Sequence, residues 1–277
     1  MIDMTRKIAL TVLSLLLLTS PATAAPPPQT HLIFAGSGTN LPIVRVLAEA
    51  FARSHPGISI EVPASIGSSS GIRAAADGAI AIGLISRPLK ENEKGLGLEI
   101  VTYARTPLVI GVHASVAEEE ISSSGIVAIY RGEKRTWPNG AEIIVLTREP
   151  GDSTIEVMSR EVPGFGAIYE ESRKAKRWTI LLKDLEMNQV LAKTPHALGF
   201  SDLGALTVEG HKIKALRVNG VAPTLANAKS GEYPLVKTLM LVYHPEKIPP
   251  AAREFLAFIR SPQGTKILLA NGYLPEK

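Results

Sequence analysis

Short apolar runs alternate with stretches of helical apolar spacing through the first third of the chain, and this alternation restricts the fold more than any other feature. Runs at 31–35, 58–62 and 79–85 each lead through a polar turn or loop toward a helical segment. Strand–loop–helix order of this kind predicts an α/β protein with largely parallel sheets. In the first helical segment Val44, Leu47, Ala48 and Phe51 recur at helical spacing. Pro42 suits its first turn, and Gly57 sits where the chain leaves it. A second, short helix is expected at 71–76.

Two apolar segments, 107–112 and 239–243, are each preceded by Thr and closely followed by His, and they bracket about half of the chain. They read as paired crossover strands. On that reading residues 31–109 with 240–277 build one lobe and residues 110–239 the other. Helical spacing returns across 251–269 at Phe255, Phe258 and Ile259, a segment expected to cover the first lobe.

Three loops concentrate Gly, Ser and Thr between a strand and a helix start. They are Gly36-Ser37-Gly38-Thr39-Asn40, Gly67-Ser68-Ser69-Ser70-Gly71 and Gly151-Asp152-Ser153-Thr154. A helix N-terminus presents unpaired backbone N–H groups and a partial positive charge, glycine lets the backbone come close, and hydroxyls donate without adding charge. Such residues also serve as ordinary helix caps. Three in one α/β chain, with Arg148 just upstream of the third, point to an oxyanion site.

The same residues resemble the phosphate-binding proteins of ATP-driven phosphate importers. The likeness runs in order through the Gly-Ser-Gly-Thr loop with Pro42, Gly67-Ser68-Ser69-Ser70-Gly71-Ile72 and Ile82-Gly83-Leu84-Ile85-Ser86-Arg87-Pro88-Leu89. It continues through Ile129-Tyr130-Arg131-Gly132, the Arg148 to Thr154 segment and Ala197-Leu198-Gly199-Phe200. Val218-Asn219-Gly220-Val221 and Ser261-Pro262-Gln263-Gly264 complete it. The resemblance implies a two-lobed, type 2 periplasmic-binding-protein fold, each lobe a mainly parallel sheet flanked by helices and joined by two crossover strands. It implies capture of phosphate or a similar tetrahedral oxyanion, no cofactor, no catalysis, a monomer, and an ABC importer permease as partner. Carried over by position, Thr39, Asn40 and the backbone of Leu41 serve the first loop, Ser68 the second, and Arg148 with Asp152, Ser153 and Thr154 the third. Ser86 stands where better-known members often carry an aspartate, Asn40 replaces a usual hydroxyl residue, and Asp152 a usual serine. Asp152 keeps two readings, a cap on the following helix or the acceptor for the proton that hydrogen phosphate carries. Arg87 likewise either reaches the anion or braces the loops.

Arg6 and Lys7, the apolar run at 8–18 and the small residues Ala22, Thr23 and Ala24 read as a secretory signal over 1–24. The run is shorter than the roughly 18 residues that a membrane span requires. A periplasmic mature chain of about 250 residues follows from that reading, with no lipid anchor because the sequence has no cysteine. Loss of Asp3, Arg6 and Lys7 with the leader changes the formal charge from +4 to +3, a mild bias toward anions. The basic run 173–177 lacks aromatic neighbours for stacking and reads as a solvated helix face rather than a nucleic-acid patch. Neither a Cys–His set nor an Asp-rich loop suggests a metal.

Two other functions fit parts of the chain. Gly67-Ser68-Ser69-Ser70-Gly71 satisfies the G-x-S-x-G pattern of serine esterases, with Ser69 as nucleophile, but no glycine-rich oxyanion segment precedes it. A sensor or scavenger role without transport keeps the same binding fold.

Overall fold

The structure, a computed structural model, describes residues 29–276. The expected leader over 1–24 and the Pro26-Pro27-Pro28 stretch lie outside the described residues. From the N-terminal side run β1 (Thr30–Gly36), α1 (Leu41–Ser54), β2 (Ile58–Glu61), α2 (Gly67–Asp77), β3 (Ile82–Ile85) and the 15-residue β4 (Glu99–His113). Next come β5 (Glu120–Ile121), α3 (Ser123–Arg131), β6 (Ile144–Arg148), α4 (Ser153–Glu161), α5 (Phe165–Lys174) and β7 (Thr179–Leu181). They are followed by α6 (Asp184–Leu191), β8 (Ala197–Asp202), α7 (Leu203–Glu209), β9 (Ile213–Ala215), β10 (Arg217–Val218) and α8 (Leu225–Ser230). The chain closes with β11 (Val236–Tyr243), α9 (Pro250–Arg260), α10 (Pro262–Ala270) and β12 (Leu274–Pro275).

The main sheet has the order β2-β1-β3-β11-β4-β8-β6-β7. Strands β1, β2 and β3 are parallel, as are β6, β7 and β8, while β11 runs antiparallel to β3 and β4. This is the α/β architecture that the alternation predicts. The crossover segments, however, do not face each other as expected: β11 lies against residues 99–107, and residues 108–112 lie against β8. The strand β4 begins well before the apolar run, because Glu99 and Arg105 interrupt the hydrophobic pattern without interrupting the backbone ladder. It is the shared spine of the sheet.

Two large apolar clusters flank that spine. One draws on residues 32–104 and 239–273, including Phe34, Phe51 and Phe255, with the Phe34 and Phe255 rings 4.9 Å apart. The other lies within residues 108–235 and includes Tyr130, Phe165 and Phe200, with the Tyr130 and Phe165 rings 4.8 Å apart. In α1 the buried stripe Ile43, Val44, Leu47, Ala48 and Phe51 follows the expected spacing. The helical stretch at 251–269 is two helices, since Ser261 accepts from the Gly264 amide at 3.1 Å and Pro262 starts a new first turn. In the basic run, Arg173 pairs with Glu170 and Arg177 with Glu171 on the surface of the molecule.

Helix α2 begins at Gly67, four residues before the expected start. Its first turn is therefore the serine run itself, and the N–H groups of that run belong to a helix terminus.

Candidate anion-binding cleft

Parallel strands deliver their loops to one edge, and the cleft forms there, outside the carboxyl ends of β1, β3, β6 and β7. It encloses about 440 Å³. Ser68, Ser86, Arg148, Asp152 and Ser153 line it, whereas Thr39, Asn40, Leu41 and Thr154 do not. Close packing of the loops requires small residues: a Cβ at Gly71 would stand 2.9 Å from both the Ala35 oxygen and the Gly36 Cα.

On one wall three serine hydroxyls converge. Ser37 Oγ and Ser86 Oγ share a hydrogen bond of 2.7 Å, and the Ser86 amide donates to Ser68 Oγ at 3.4 Å. Behind them Arg87 is buried and engages Glu93 through both terminal nitrogens, at 2.7 and 2.8 Å. It also donates to Ser69 Oγ at 2.7 Å and to the Pro88 oxygen at 2.8 Å. The hydrogen bond from Arg87 holds the Glu93 carboxyl at about 2, against the opposing effect of burial. Bracing is thus what the Arg87 side chain does in this structure.

The opposite wall is built on Arg148, the last residue of β6 and 3 % exposed. Its Nη1 donates to the Leu181 oxygen at 3.1 Å. Its Nη2 faces Asp152 Oδ2 at 2.9 Å, the Leu182 oxygen at 3.2 Å and Asp184 Oδ2 at 3.4 Å. The Arg148 backbone oxygen accepts from the Tyr169 hydroxyl at 2.8 Å, which fixes the strand end. Burial opposes the guanidinium charge, but Asp184 and Asp152 outweigh it and raise the Arg148 pKa above its ordinary value. Two buried polar atoms on this wall have no partner, Arg148 Nε and Ser153 Oγ.

Asp152 caps α4: its Oδ1 accepts from the Thr154 amide at 2.9 Å while Oδ2 takes Arg148. Burial opposes its ionisation, and Arg148 and Lys237 overcome that and hold its carboxyl below the usual range. The first-loop candidates are engaged elsewhere. Asn40 is fully buried, donates from Nδ2 to the Ile85 oxygen at 3.1 Å and accepts from the Tyr103 hydroxyl at 2.8 Å. The Leu41 amide closes the short turn onto the Gly38 oxygen. Thr39 Oγ1 donates to Asp184 Oδ1 at 3.4 Å.

Three participants escape the reading of the sequence. Ser37 lies in the first loop but was not among its candidates. Asp184 starts α6 after β7, where an acidic residue looks like any helix-end charge. Lys237 is 1 % exposed, with Nζ 3.5 Å from Asp202 Oδ2, 3.7 Å from Asp184 Oδ1 and 3.4 Å from Thr39 Oγ1. It precedes the apolar run at 239–243, with Thr238 between, and nothing local marks it. Burial pushes the Asp202 carboxyl up to about 6 even though Lys237 pulls the other way.

No histidine lines the cleft, and the Ser69 hydroxyl accepts from Arg87 at 2.7 Å. Among the described residues no helix is long and apolar enough to cross a membrane.

Phosphate-binding protein PstS of Bacillus subtilis is 26% identical over 258 residues, covering 88% of this chain and 80% of that protein. Its namesake from Pseudomonas aeruginosa is 23% identical over 278 residues, covering 88% and 83%. A Clostridium perfringens ABC-transporter substrate-binding protein, assigned to phosphate and solved with phosphate bound, superposes with a TM-score of 0.80 at 26% identity. The match covers 90% of this chain and 100% of that one. An ABC-type phosphate transport receptor from Vibrio cholerae gives a TM-score of 0.64 at 23% identity, covering 88% and 99%. Residues 21–263 match the PBP superfamily domain, and the chain belongs to the PBP superfamily, with the type 2 α/β fold.

Proposed function

We propose that this chain captures inorganic phosphate in the cleft between two lobes, as the extracytoplasmic solute-binding component of an ABC importer. The observation that carries the reading is the buried guanidinium of Arg148 on one wall of a cleft whose other wall carries the hydroxyls of Ser37, Ser68 and Ser86. A desolvated guanidinium, hydroxyl donors and the first turns of α2 and α4 together suit a tetrahedral oxyanion. Similarity to PstS of B. subtilis supports phosphate over other anions.

In this reading Ser37, Ser68 and Ser86 hold the anion from one lobe, and Arg148 and Ser153 hold it from the other. Asp152 acts by capping α4 and orienting Arg148. Thr39, Asn40, Leu41 and Thr154 support the loops rather than touch the ligand in this conformation. The division into residues 31–109 with 240–277 and residues 110–239 is supported by the two separate apolar clusters. A monomer, a permease partner and a periplasmic location complete the proposal, the last resting on the leader-like 1–24 segment.

Calorimetric titration of the purified mature chain with phosphate, sulfate, molybdate and tungstate tests it. Phosphate is expected to bind tightest. Failure to bind phosphate, or tighter binding of one of the others, would overturn the assignment.

A further inference from the structure

The carboxylate of Asp184 lies between the two walls of the cleft. It stands on the first residue of α6, beside Arg148, and reaches across to the loop that follows β1. There Thr39 Oγ1 donates to its Oδ1 at 3.4 Å, and Lys237 Nζ stands 3.7 Å from the same oxygen. On its own side, Arg148 Nη2 stands 3.4 Å from Oδ2. A Cβ at Gly38 would collide with that Oδ2, so the approach depends on glycine at this position.

The contacts form an ordered set. Arg148 Nη2 carries two protons but faces three acceptors, Asp152, the Leu182 oxygen and Asp184. Asp152 stands at 2.9 Å with its second oxygen tied to the Thr154 amide, and the Leu182 oxygen is backbone. Asp184 is the farthest of the three, and its side chain keeps 16% of its surface exposed. It is the most weakly held of the three acceptors.

We infer that Asp184 is a resident counter-anion, whose carboxylate ties the two walls together and competes with an incoming oxyanion for Arg148 and Thr39. The inference rests on the phosphate reading for its ligand and not for its latch. With the Asp152 carboxylate already held at 2.9 Å, a second carboxylate and a doubly charged phosphate on the same partly buried guanidinium repel each other, so occupancy by one opposes the other. Affinity is then lowered by the fraction of molecules that are latched. Lys237 keeps a partner after the exchange, because Asp202 Oδ2 remains 3.5 Å away.

The test compares wild type, Asp184→Asn and Gly38→Ala in the mature chain. Asp184→Asn keeps the side-chain size and removes the charge, and Gly38→Ala drives the carboxylate out from the opposite wall. Without ligand, both variants are expected to show a larger radius of gyration by small-angle scattering than wild type. With phosphate, Asp184→Asn is expected to bind about 5- to 30-fold tighter by calorimetry. Equal radii in the ligand-free proteins would overturn the latch, and equal or weaker phosphate binding by Asp184→Asn would overturn the competition. If wild type binds no phosphate, the phosphate reading fails by itself, and the ligand-free scattering still decides the latch.

Discussion

Arg148 and Asp152 are joined side chain to side chain at 2.9 Å, four residues apart, and the same carboxylate caps α4 through the Thr154 amide at 2.9 Å. One residue therefore orients the guanidinium and the helix terminus that face the cleft. Its two oxygens are both in use, which favours the capping reading over the proton-acceptor reading.

Removal of the guanidinium should be severe. Arg148→Ala is expected to weaken phosphate binding by about 2–5 kcal/mol, the range for truncating one member of a desolvated charged pair. Arg148→Lys should recover little, since an ammonium cannot reproduce the planar fork that now reaches Asp152, Leu181 and Leu182 together. Calorimetry on both variants measures the effect.

Asp152→Asn retains a good N-cap, so its helix should survive and the ratio of phosphate to sulfate affinity should stay that of wild type. Asp152→Ala removes the cap and should cost about 1 kcal/mol of folding stability. Competition titration reads the first outcome and urea denaturation the second. A changed anion ratio in Asp152→Asn would return the proton-acceptor role to this residue.

Asn40→Ala should act on folding before binding. It strips the Tyr103 hydroxyl of its acceptor and the Ile85 oxygen of a donor, both in the buried interior. The expected loss is about 1–3 kcal/mol of unfolding free energy, the cost of leaving such a group unsatisfied. Denaturant titration provides the number.

Glu93→Gln should leave the Arg87 charge buried and uncompensated, lowering stability at pH 7 by about 3–5 kcal/mol. The sign of the pH dependence is set by a carboxyl held at about 2, below its ordinary 4.5. The contribution of Glu93 is complete above 4.5 and is lost as pH falls from there toward 2. Thermal melts of wild type and variant should therefore converge in acid.

Asp202 should have the opposite dependence. Burial raises its carboxyl from 3.8 to about 6, so as pH falls through 6 the folded chain takes up a proton that the unfolded chain does not. Between about pH 6 and 4 this group adds stability as the solution becomes more acidic. Asp202→Asn keeps a capping residue for the Ala205 amide and should remove this component, leaving a flatter melting-temperature profile than wild type between pH 7.5 and 5.

Local properties were legible in the chain. Periodicity in α1, the strand runs of β1 and β2, the glycine and serine loops, and Arg148 at the end of a strand all follow from residues close together in sequence. The start of α2 was missed because Ser68, Ser69 and Ser70 are poor helix formers in isolation, and their place in a first turn is set by packing of Gly71 against β1. The start of β4 was missed because backbone pairing with β11 carries charged residues that an apolar pattern excludes.

Sequence by itself determined the α/β class and the set of loops able to meet an oxyanion, since spacing and residue type act over a few residues. Only the tertiary structure decided which of their donors remain free. Asn40 reads as a ligand group, yet its Nδ2 donates to the Ile85 oxygen, while Lys237, outside the apolar run at 239–243, reaches Thr39 from 198 positions away. Hydrogen-bond capacity is finite, and whether a donor faces an anion or a neighbouring side chain depends on groups brought together from distant parts of the chain.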